Sequence, residues 1–167
     1  MKTIKVVILL AVLMLPVTVD AQSFEQFSAS RETISQPSNQ NILNIFNPLG
    51  SGKTLQLEYL HATAYNQPAN FDIRISQTAG SVCNRIIQAV PAKLDPAITS
   101  VATINAECAT PPQCYPALCD GPYRQFAVKD TILDLSGVIL PPGRGLMVKV
   151  DDPAMSGSVN WHLVWKE

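Results

Sequence analysis

Gly50-Ser51-Gly52-Lys53-Thr54 reads at first sight as a phosphate-binding loop. That chemistry needs a glycine five residues before the Gly-Lys glycine and a helix opening behind it, so that successive N–H groups cup the phosphates. Position 47 is Asn, Pro48 has no N–H to give, and the residues from Thr54 to Leu60 alternate as a strand. The stretch is a tight turn leading into a strand. The two histidines, His61 and His162, cannot make a three-histidine zinc site, and neither H-E-x-x-H nor G-x-S-x-G occurs. Either could serve as a base, but no nucleophile motif accompanies them, and both read as surface histidines. Asp151-Asp152 could offer oxygens to calcium. Two adjacent carboxylates before Pro153 are better read as a solvated turn, because calcium takes about six to eight oxygens from a shaped loop. Trp161 and Trp165 could stack on a sugar, yet they share a face with Val159 and Leu163 and so read as core anchors. No catalytic residue, metal or cofactor is expected.

The four cysteines are Cys83, Cys108, Cys114 and Cys119. No C-x-x-C pair exists, so zinc and thioredoxin-like redox chemistry both give way to two structural disulfides. Loop-closure entropy does not choose between Cys83–Cys108 with Cys114–Cys119 and Cys83–Cys119 with Cys108–Cys114. A hairpin of 82–90 with 98–105, turning about Pro91–Pro96, favours the first pairing, because it returns the chain beside Cys83 just before Cys108. Tyr115 and Tyr123 flank the Pro/Cys-rich stretch and are candidates for an exposed contact surface.

These residues must be carried by an exported chain. Residues 1–21 have the layout of a secretory signal peptide: a basic start (Lys2, Lys5), an apolar run from Val6 to Val19, and small residues at Val19 and Ala21 before Gln22. The run is short for a membrane span of about 20 apolar residues. Cleavage is expected, leaving no span and a secreted protein, extracellular or periplasmic. The whole chain carries 12 Lys and Arg against 13 Asp and Glu, without a basic cluster, which argues against a phosphate-tracking nucleic-acid surface.

Strands are expected to do the positioning. Leu55, Leu57 and Tyr59 alternate with polar neighbours, as do Phe71, Ile73 and Ile75, then Leu146, Val148 and Val150, then Val159, Trp161, Leu163 and Trp165. Less regular strand candidates are 41–46, 82–90, 98–105, 123–129 and 131–135. Turn residues separate them at 47–52, 66–68, 78–81, 95–96, 141–143 and 152–153. About eight or nine short strands without a helical period predict an all-β chain: a single-domain, antiparallel, two-sheet β-sandwich, jelly-roll-like. The domain would span 41–167 with a disulfide-bonded loop at 107–122. Residues 22–40 would form a polar N-terminal segment or an edge strand.

Three stretches together point to a family. Ile45-Phe46-Asn47-Pro48-Leu49-Gly50-Ser51-Gly52-Lys53-Thr54-Leu55 leads into a strand, Gly137-Val138-Ile139-Leu140-Pro141-Pro142-Gly143-Arg144-Gly145-Leu146 makes a turn, and an aromatic strand closes on Trp165-Lys166-Glu167. The combination resembles small β-sandwich structural proteins of tailed-phage virions and phage-derived bacterial loci. That resemblance implies a structural or surface-coating role without catalytic residues. The expected function is a secreted, non-enzymatic structural or adhesive β-sandwich, with an extracellular carbohydrate-binding module as the alternative. A protein partner or self-assembly is favoured over a small molecule, and carbohydrate stays open as a ligand.

Overall fold

Alternating apolar residues rich in Val, Ile, Leu and aromatics form strands wherever the turn residues leave room for them. The computed structural model describes residues 24–35, 41–65, 69–110, 124–150 and 157–167. Its elements are β1 (Gln26–Ser35), β2 (Asn41–Asn47), β3 (Leu55–Ala64), β4 (Ala69–Ser76), β5 (Ser81–Ile87), β6 (Val90–Pro91), β7 (Thr103–Thr110), β8 (Arg124–Val128), β9 (Asp130–Asp134), β10 (Ile139–Leu140), β11 (Arg144–Val150) and β12 (Gly157–Lys166). One sheet runs β10-β3-β12-β1-β6, with β9 also paired to β3; the other runs β5-β7-β2-β11-β4-β8. Every pairing is antiparallel. The chain changes sheet at most connections, in the manner of a jelly roll, and the two-sheet sandwich expected from the alternation is the fold.

The inner faces meet in one apolar core. The first sheet contributes Phe27, Leu57, Leu60, Leu163, Trp161 and Trp165; the second contributes Leu43, Ile45, Phe71, Ile73, Leu146 and Val148. Trp165 stacks on Phe27, with ring centroids 5.9 Å apart. Both indoles are buried, as their shared face predicts.

Several local expectations need correction. Leu57 pairs with Trp165 and Tyr59 with Val164, so Glu58 is an extra residue, a bulge that shifts the side-chain phase of β3. Tyr59 is consequently only half-buried, and Leu60 takes its place in the core. Residues 98–102 are not strand. Their donors go elsewhere: Ile98 N to Asp95 O, Val101 N to the Glu167 carboxylate and Ala102 N to Ser100 Oγ. The return strand is instead β7, which places Cys108 in a strand rather than a loop. Between β5 and β7 the chain does not turn tightly; Val90 and Pro91 cross over to pair with Ser28 and Phe27 of the other sheet. Gln26–Ser35 is a full strand, paired along its length with β12 and over two residues with β6. Asp72 and Ser76, on the polar phase of β4, are buried rather than solvated. Arg74 lies 2.8 Å and Lys149 3.7 Å from the Asp72 carboxylate.

The signal segment 1–21, the Asp151-Asp152 pair, Cys114, Cys119, Tyr115 and Tyr123 all lie outside the described residues.

Candidate functional site

The turn at 48–54 is built around one buried side chain. Asn47 Nδ2 donates to Lys53 O (2.8 Å) and to Leu140 O (2.9 Å), and its Oδ1 accepts from Ser51 Oγ at 2.6 Å. Gly50 and Gly52 have φ of 87° and 70°, the left-handed region that glycine enters without strain. The Lys53 ammonium lies 3.6 Å from Glu167. These interactions brace a turn that leads into β3, and they leave the lysine facing a carboxylate rather than a phosphate.

Chemistry-bearing side chains gather instead on the outer face of the first sheet. Register across β1, β12, β3 and β9 sets Ser30, His162, His61 and Ile132 in one row. The next row on the same face is Glu32, Asn160, Thr63 and Asp130. Period-two alternation puts both rows opposite the core, because their neighbours Leu163, Trp161 and Ala62 point inward. The β1, β12 and β3 members of the two rows, with Arg31, Tyr65 and Trp161, line an open groove of about 460 Å³, and Asp130 and Ile132 stand beside it on β9.

The groove side chains are braced by one another. His61 Nε2 lies 2.7 Å from Asp130 Oδ1, and Thr63 Oγ1 donates to the same oxygen at 2.8 Å. Those two hydrogen bonds, His61 first, hold the Asp130 carboxyl below its ordinary value of 3.8. An ionised carboxylate only accepts, so the hydrogen between the pair sits on His61 Nε2. Asn160 Nδ2 donates to the Tyr65 hydroxyl at 2.6 Å. His162 meets the Tyr59 ring edge-on, with centroids 5.8 Å apart.

This arrangement supports recognition by hydrogen bonding and ring contact. The Thr63 hydroxyl is bound to a carboxylate rather than to an imidazole, so it is not set up as a nucleophile. Among the described residues no cluster of three or more His, Cys, Asp or Glu could hold a metal ion.

The sequence reading placed His162 on the solvent side, and it stands half-exposed on the outer face. It did not anticipate that His61 stands directly opposite. The cross-strand register carries that information, and no spacing within the sequence does. Trp161 and Trp165, weighed as sugar platforms, belong to the core. Cys83 stands opposite Cys108 across β5 and β7, and no described cysteine is a free thiol. Compared with protein-family models, with curated proteins and with solved structures, the chain matches none.

Proposed function

We propose that this is a secreted, non-enzymatic β-sandwich with a structural or adhesive role, and that the outer face of the first sheet is its contact surface. One observation carries the reading: four strands in register present two rows of side chains, polar except for the exposed Ile132, cross-braced and open to solvent. A rigid face of this kind binds a protein partner or another copy of the chain at a low entropy cost. Export rests on the signal-like residues 1–21. A Cys83–Cys108 disulfide in the exported protein rests on the register, since directly opposed residues are separated by about 4.5–5.5 Å at Cα, within the range a disulfide spans. The likeness to phage-virion sandwiches points the same way, toward assembly or coating.

A second reading, an extracellular carbohydrate-binding module, is favoured by Tyr65, whose ring is exposed at the groove beside Asn160. The groove also falls in the size range of small-ligand sites, about 300–1,000 Å³. Light scattering after size exclusion, run beside a glycan array, separates the two. Self-association abolished by Asn160→Arg supports the structural role. Saturable glycan binding abolished by Tyr65→Ala supports the module. A monomer that binds neither overturns the assignment of this face.

A further inference from the structure

We propose that His61 and His162 form a two-histidine site for a divalent transition-metal ion, taking Cu²⁺ in preference to Ni²⁺ and Zn²⁺. They are the only two histidines in the sequence, and the fold sets them directly opposite each other on β3 and β12. Directly opposed residues of antiparallel strands share a face and hold their Cβ atoms about 4.5–5.5 Å apart. Two imidazoles can converge from that separation on one ion at about 2.0–2.1 Å per bond. Both side chains are half-exposed, which leaves room for water to fill the remaining coordination positions.

Asp130 supplies an independent argument. Its Oδ1 lies 2.7 Å from His61 Nε2 and takes the hydrogen there, so in the neutral ring that a metal requires the lone pair is on Nδ1. A metal-bound histidine almost always donates its other ring N–H in this way, often to a carboxylate that fixes the tautomer and raises ligand basicity. Thr63 anchors that carboxylate in turn at 2.8 Å, and the Tyr59 ring packs edge-on to His162. The described residues contain no cluster of three protein ligands, so the site is one of two imidazoles plus water. Imidazole suits copper, nickel and zinc, and the Irving–Williams order puts Cu²⁺ first.

Calorimetric titration of CuCl₂, NiCl₂ and ZnCl₂ into the untagged, oxidised protein tests the site. The expected result is one equivalent of Cu²⁺ bound more tightly than Ni²⁺ or Zn²⁺. His61→Ala and His162→Ala should each weaken Cu²⁺ binding at least about ten-fold, and Asp130→Asn about 10- to 100-fold. His61→Gln and His162→Gln replace the alanine variants if circular dichroism shows a disturbed sheet. Absence of binding at about 0.1 mM Cu²⁺ overturns the proposal. So does binding that survives either histidine substitution, because a paired site requires both rings.

Discussion

The indole N–H of Trp165 donates to the carboxylate of Glu167 two residues on, at 3.0 Å, in the interior of the protein. The same carboxylate accepts from Val101 N at 3.0 Å and from the Ser100 hydroxyl, and it faces the Lys53 ammonium at 3.6 Å. One side chain thus ties β12 to the irregular segment before β7 and to the turn before β3. Backbone bonds between Glu25 and Glu167 close the same corner. Glu167→Ala would leave a buried indole N–H and a half-buried amide without this partner. It should cost about 3 kcal/mol in urea unfolding, whereas Lys53→Met, at a half-exposed position, should cost under about 1 kcal/mol.

The buried indoles give a second expectation. Trp161→Ala should destabilise by about 3–5 kcal/mol, as large aromatic truncations in cores do. Fluorescence of the native protein should resist acrylamide quenching and become quenchable on unfolding.

Gly145 and Gly137 separate close packing from open space. A Cβ at Gly145 would lie 2.5 Å from Ser76 Oγ and 2.6 Å from the Ile45 carbonyl oxygen, in the middle of the second sheet. Gly145→Ala should cost about 1–3 kcal/mol or more, because a backbone atom must give way. A Cβ at Gly137 meets nothing within 4 Å, and Gly137→Ala should stay within about 0.5 kcal/mol of wild type. Thermal unfolding of the two variants side by side checks the contrast.

Glu58 should make stability depend on acidity. Its carboxyl is held below the ordinary value of 4.5 by the hydrogen bond from Lys166, against a smaller opposing effect of burial and with help from the Gln26 amide. A carboxyl with a lowered value in the fold adds stability that is present above its unfolded value and lost as pH falls through its folded one. The gap in thermal midpoint between wild type and Glu58→Gln should therefore be full at neutral pH and shrink below about pH 4.5. A gap independent of pH would mean that the bulge, rather than the charge, sets the difference.

Peptide mapping without reductant should recover Cys83 joined to Cys108, the residues that stand opposite each other on β5 and β7. Recovery of Cys83 joined to Cys119 would separate the register from the covalent chemistry.

The strands were legible because period-two alternation is a local signal: β3, β4, β11 and β12 all contain the runs that announced them. What the sequence concealed depends on partners far away in the chain. The bulge at Glu58 reverses the phase for Tyr59, and no residue preference marks it; Lys166 and Gln26 hold its carboxylate from two other strands. The crossover at Val90–Pro91 was read as part of a hairpin, because a pairing with Ser28 and Phe27 cannot be seen from residues 82–105 alone. The groove was missed for the same reason. His61, Asp130 and His162 are ordinary surface residues one at a time and become a site only when β9, β3 and β12 lie side by side.

The ten-residue pairing of β1 with β12 sets Gln26 against Lys166 and Ser35 against Gly157. A strand near the start of the described chain therefore completes its pairing only with one near its end. Phe27 has no stacking partner until Trp165 has been synthesised. Such non-local closure makes folding slow, because the entropy of a long loop is lost before any contact rewards it. During synthesis β1 can pair only with the two residues of β6 until β12 has been made.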